Sequence, residues 1–183
     1  HNETVYNKVK NTTAKRIKFV TVQCERLKAE IKQTLEHDLF PLILSGDHSS
    51  ALGSLAGIKS ANPEKTLGVI WIDAHADLHT PFSSPSGNVH GMPLAAALGH
   101  DNIDQKINQV SQETISDWEQ MKNMGSVLPI LKPEHLIYFG VRDTEHQEDT
   151  IMERCKIKNY KVHEMRHRGV DICVQEALKQ LKG

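Results

Sequence analysis

The sequence predicts an α/β fold with a mainly parallel sheet covered by helices on both faces. Two observations carry this reading. Short apolar runs alternate with helix-period segments along the chain, the pattern of βαβ units. Residues suited to chemistry also follow the ends of those runs, where such sheets collect ligands.

Taken in order, Ile17, Val20, Cys24, Leu27, Ile31 and Leu35 recur at three- and four-residue steps and predict an amphipathic helix over 15–37. Phe-Pro-Leu-Ile-Leu-Ser at 40–45 is a short apolar run stopped by Gly46, the pattern of a buried strand. Pro41 is tolerable at its start. An Ala- and Leu-rich helix follows over 49–58 and is broken by Asn62-Pro63. A second strand covers 67–73, and a loop rich in Ser and Pro runs through Thr80 to Asn88. A helix over 91–98 has Pro93 in its first turn. Residues 100–133 are polar and irregular, and predict a surface excursion with one helix around 111–121. A strand at 136–140, a helix at 146–154, a strand at 157–163 and a helix at 170–182 complete the pattern. There is no internal repeat or low-complexity tract.

The composition narrows the function classes. At 183 residues, 38% of them hydrophobic, the chain fits one domain with one core. The net charge is −1 and cations are not clustered, which argues against nucleic acid as a partner. No apolar run approaches the roughly 20 residues needed to span a bilayer, so no membrane partner is expected. Three scattered cysteines without a C-x-x-C pair argue against a disulfide framework or a thiolate zinc site. They favour a reducing, cytoplasmic location. The sequons at Asn2 and Asn11 are then chance matches. The chain begins with His1, as a processed, tagged or truncated product would.

The most informative stretch is Asp73-Ala74-His75-Ala76-Asp77, at the end of the second strand. In extended backbone, residues i, i+2 and i+4 share one face, so these three side chains can converge. The first strand ends in Gly46-Asp47-His48. Together they form a set of imidazoles and carboxylates without sulfur, suited to Mn²⁺, Fe²⁺, Co²⁺ or Zn²⁺, with Mn²⁺ favoured where oxygen dominates. A carboxylate can bridge two cations about 3.5–4 Å apart, and such pairs activate water for hydrolysis. Blander roles stand beside these. Asp73 could cap the next turn, His75 could be a satisfied polar group at the sheet edge, and His90 could be a loop histidine without a role. Glu145 and Glu148 could lie on a solvated helix face.

Three motifs in order, Ser45-Gly46-Asp47-His48-Ser49, Trp71-Ile72-Asp73-Ala74-His75-Ala76-Asp77 and Ser86-Gly87-Asn88-Val89-His90-Gly91, resemble the signatures of the ureohydrolases, most closely of arginase. The similarity runs from about residue 42 to the C-terminus. The third motif is the one more specific to the arginase branch. The resemblance implies a three-layer α-β-α fold of the arginase/deacetylase type and two Mn²⁺ ions. His48 would ligate one ion and His75 the other, with Asp73 bridging and Asp77 on the His48 side. His90 would move protons, and Ser86 and Asn88 would hydrogen-bond the α-carboxylate of L-arginine. His79 stands where arginases commonly carry an Asn touching that carboxylate. Glu145 would meet the α-ammonium, and Glu148 would assist through water. The implied reaction is attack of a hydroxide bridging the two Mn²⁺ ions on the guanidinium carbon, giving L-ornithine and urea. A homo-oligomer, trimer or hexamer, is also implied.

The family's Asp-x-Asp-x-x-Asp motif, expected after the helix ending near Leu181, is not in the sequence, nor is a later Glu or an N-terminal strand. Residues 1–183 therefore read as a single partial catalytic domain, expected to be inactive by itself. The alternatives are an agmatinase-type guanidino hydrolase and a truncated, non-catalytic metal-binding polypeptide.

Overall fold

A computed structural model describes residues 12–182. The described backbone gathers into two compact units, residues 12–65 with 77–130, and residues 66–76 with 131–182.

In the first unit, helix α1 (Ile17–Glu36) buries Ile17, Cys24 and Ile31 of the predicted stripe together with Thr21, while Val20, Leu27 and Leu35 are partly buried. Thr21 enters the core because its hydroxyl donates to the Ile17 carbonyl at 2.9 Å. Helix α2 (Ala51–Ala61) lies against α1 at a very close approach. A Cβ on Gly53 would stand 2.6 Å from the Cys24 carbonyl oxygen, so only glycine admits that spacing. Burial pushes the Cys24 thiol up to about 11, and the thiol donates to the Ser49 carbonyl instead of serving as a nucleophile. Helix α3 (Pro93–Leu98) is buried along its whole length, starts on Pro93 and ends on left-handed Gly99. Helix α4 (Gln112–Lys122) is capped by Ser111, whose hydroxyl accepts from the Thr114 amide.

The excursion at 100–133 is more than surface. Trp118 and Met121 are fully buried, and the Trp118 indole and the Lys122 ammonium both donate to the Asp101 carboxylate, at 2.7 and 2.6 Å. Polar spacing hid this, because the few apolar residues there are large and the charges pair locally.

In the second unit, β1 (Val69–Ile72), β2 (Leu136–Phe139) and β3 (Lys158–Tyr160) form a parallel sheet in that order. Val69 pairs with Leu136 and Ile137 with Lys158. The central strand β2 is buried at all four residues, as a strand flanked on both edges should be. Helix α5 (His146–Arg154) matches the predicted boundaries. Beyond β3 come α6 (Val162–Arg168) and α7 (Val170–Leu181). Cys173 and Ala177 of α7 pack with Ile137, Phe139 and Tyr160 of the sheet.

Two expectations change. The strand predicted over 157–163 stops at Tyr160, and its last residues open α6. Glu164 takes over there, donated to by Lys158 at 3.2 Å and by Arg168, one turn on, at 2.7 Å. The Arg168 guanidinium holds the Glu164 carboxyl below the usual carboxylate range, and an i,i+4 pair of this kind favours helix. The strand predicted over 40–45 is absent: that stretch is irregular, with Phe40 89%, Leu42 81% and Leu44 92% exposed. Apolar residues become a buried strand only when neighbours pair both edges, and no described strand lies on this run.

Candidate functional site

The turn that carries His48 is built from its neighbours. The Asp47 carboxylate accepts from the Ser49 amide at 3.0 Å and also from the Ser49 hydroxyl, closing a one-turn 3₁₀ helix over His48–Ser50. The hydroxyls of Ser45 and Ser50 donate to the Asp47 carbonyl at 3.0 and 2.9 Å, and Cys24 holds the Ser49 carbonyl from α1. A short helical turn so tied leaves its histidine little freedom.

His48 Nδ1 lies 2.9 Å from Asp77 Oδ2. Asp77 is only 5% exposed, and burying a carboxylate is costly unless positive charge compensates it. Its backbone is left-handed (φ 52°), and its carbonyl accepts from the Leu94 and Ala95 amides at the start of α3. After it, residues 78–84 form a buried loop held in part by hydrogen bonds to the excursion. The Thr80 hydroxyl donates to the Asp101 carbonyl, and the Asn108 amide donates to the carbonyls of Pro81 and Ser84 at 3.0 and 2.7 Å. The excursion thus braces the loop that carries His79. His79 is buried, and its amide donates to the Gly91 carbonyl at 2.9 Å.

Ser86 and Asn88 lie on the next turn, where the Ser86 hydroxyl accepts from the Asn88 amide at 3.2 Å. His90 is half-exposed, with Nδ1 3.9 Å from Asp47 Oδ2. Asn88, His90 and Asp47 border a cleft of about 960 Å³ in this unit, and Lys15, Arg16 and Arg26 form part of its wall.

In the second unit, the expected extended Asp-x-His-x-Asp face is replaced by a bend. β1 ends at Ile72, and the Asp73 carboxylate accepts from the His75 amide at 2.9 Å. Such an aspartate turn competes with the strand ladder and wins here. Asp73 therefore does cap the following turn. Its Oδ1 also lies 3.3 Å from His75 Nδ1, and Asp143 Oδ2 stands 3.5 Å from His75 Nε2. The backbone amides of Arg142 and Asp143 donate to the Ala74 carbonyl, and the Tyr138 phenol donates to the Ala76 carbonyl at 2.7 Å. The loop is thereby fastened to β2.

Glu145 and Glu148 form a capping box at the start of α5: the Glu145 carboxylate accepts from the Glu148 amide, and Glu148 Oε2 from the Glu145 amide at 3.3 Å. The Glu-x-x-Glu spacing before a helix was the available signal for this role. Asp143, within reach of His75, was not singled out from the sequence, although it lies two residues before Glu145, which was. Lys15 was also missed, because a lysine before a helix is common.

The structure thus pairs the four predicted ligands within each unit, His48 with Asp77 in the first and Asp73 with His75 in the second. Each couple offers one imidazole nitrogen and a carboxylate. This donor set fits Mn²⁺ or a similar divalent cation, and the buried Asp77 carboxylate is a group such a cation would neutralise.

Comparison with known proteins gives one consistent result. Residues 3–183 match the profile described as Arginase family. The arginase of Bacillus caldovelox is 38% identical over 166 residues, covering 91% of this chain and 50% of that protein. The arginase of Bacillus subtilis (strain 168) is 36% identical over 175 residues, covering 95% of this chain and 53% of that protein. Among solved structures, the Bacillus caldovelox arginase superposes with a TM-score of 0.80 at 36% identity, over 96% of this chain and 53% of that one. An Entamoeba histolytica arginase in complex with L-ornithine gives 0.72 at 27% identity, over 94% of this chain and 53% of that one. The chain spans about half the length of the curated relatives it matches. Three ordered motifs, a parallel sheet with helices and agreement over nearly the whole sequence give one conclusion: the chain belongs to the arginase family.

Proposed function

We propose that the protein carrying this chain is a metal-dependent ureohydrolase that hydrolyses L-arginine to L-ornithine and urea. The observation that carries the reading is the buried Asp77 carboxylate set 2.9 Å from His48 on a braced turn. A cleft bordered by Asn88 and His90 lies in the same unit.

His48 and Asp77 are assigned to one divalent cation, and Asp73 and His75 to the other, with Mn²⁺ as the metal. When bound, such a pair supplies Lewis acidity that makes water a usable nucleophile at neutral pH, which the poorly electrophilic guanidinium carbon requires. The residues of the chain do the rest. Ser86 and Asn88 hydrogen-bond the α-carboxylate, with His79 as a further donor. Glu145, besides capping α5, meets the α-ammonium, and Glu148 assists through water. His90 gives a proton to the departing δ-nitrogen as the carbon–nitrogen bond breaks. Hydrolysis thereby places the oxygen of water in urea and both of its protons on the δ-ammonium of ornithine. Homo-oligomeric assembly belongs to the same reading. So does a reducing cytoplasm, with which the three free cysteines agree.

Urea release from L-arginine and from agmatine, measured with Mn²⁺ on the protein carrying this chain, tests the proposal. Turnover of L-arginine with little on agmatine is expected. Activity confined to agmatine overturns the substrate assignment, and no urea from either overturns the activity.

A further inference from the structure

The segment entering α1 is laid directly on the loop that holds Asn88. The Lys15 amide donates to the Gly87 carbonyl at 2.7 Å, and Lys15 and Asn88 form an isolated parallel bridge. Gly87 is left-handed (φ 68°), and a Cβ there would stand 1.8 Å from the Thr12 carbonyl oxygen. Glycine is therefore what lets the two stretches touch. Arg16, the next residue, holds a left-handed backbone (φ 61°), a conformation a non-glycine residue keeps only where its surroundings impose it.

On this scaffold the Lys15 ammonium donates to Asn88 Oδ1 at 3.2 Å. An ammonium has donors only, so the contact fixes which end of the amide is the oxygen. The amide oxygen is engaged, and the NH₂ group is the end presented to an acceptor. The cleft beside it has Lys15, Arg16 and Arg26 in its wall, against Asp47 as the acidic side chain of the lining. That balance suits a ligand with a negative end.

We infer that Lys15 is a positioning residue for the substrate's α-carboxylate: it locks the Asn88 amide with its donors outward and adds positive charge beside them. The inference rests on the L-arginine reading above and goes beyond it, because it makes the segment before α1 a determinant of selectivity for amino acids over their decarboxylated amines.

The test uses Lys15→Met and Lys15→Arg in the Mn²⁺-loaded protein. Steady-state kinetics on L-arginine are measured alongside calorimetric binding of L-ornithine and of putrescine, its decarboxylated analogue. Lys15→Met is expected to raise KM for L-arginine and Kd for L-ornithine about tenfold, the size of one charge-assisted hydrogen bond. It should leave kcat within about twofold and putrescine binding unchanged, and Lys15→Arg should recover most of the loss. An unchanged KM in Lys15→Met, with L-arginine turned over normally by the wild type, overturns the role of Lys15 alone. So does an equal loss for ornithine and putrescine. A wild-type protein that neither releases urea nor binds ornithine overturns the underlying functional reading together with this inference.

Discussion

Asp77→Asn is expected to empty the His48-side cation position and to cut arginine turnover by about a thousandfold or more, some 4 kcal/mol of transition-state stabilisation. The substitution keeps the size of the side chain. It also leaves the Asp77 carbonyl free to go on accepting from Leu94 and Ala95. What it removes is the negative charge, and an amide oxygen is a much poorer partner for a divalent cation. A charge buried to this degree is itself a cost in the metal-free protein, so the metal-free variant should melt no lower than the metal-free wild type. Metal analysis of the purified variant with parallel urea assays checks this. Full Mn²⁺ occupancy in Asp77→Asn contradicts the ligand role.

His90→Ala should separate chemistry from metal binding. The imidazole is half-exposed and its ion-pair contact with Asp47 is long, at 3.9 Å, so its removal leaves little strain. Occupancy should stay at the wild-type level while kcat falls about 10²- to 10⁴-fold, the range of a lost general acid, with KM nearly unchanged. Added imidazole should restore part of the rate. Turnover within a few-fold of wild type contradicts the proton-transfer role, and loss of metal places His90 among the ligands instead.

Much of this architecture was legible in the sequence because it rests on local periodicity. The α1 stripe, the position of Pro93 and the limits of α5 follow from spacing that any neighbourhood would respect. The run at 40–45 was not, since a strand is a relation between segments and the apolar pattern says nothing about whether a partner lies alongside. The site divides in the same way. The identity of His48, Asp73, His75 and Asp77 stood out from their motifs, but their arrangement did not: the turn made by Asp73 with the His75 amide replaces the extended face that alternation suggested. Glu145 and Glu148 were marked for a ligand, and each closes a helix cap. Contacts distant in sequence, Lys15 with Asn88 and Asn108 with the 81–84 loop, leave no local signature at all.

The central claim is that two imidazole–carboxylate couples hold divalent cations. Anomalous diffraction from crystals of the Mn²⁺-loaded protein tests it most directly. The expected map has two manganese peaks, one bound by His48 and Asp77 and the other by Asp73 and His75. Manganese bound elsewhere, with these four side chains contacting only one another, contradicts it.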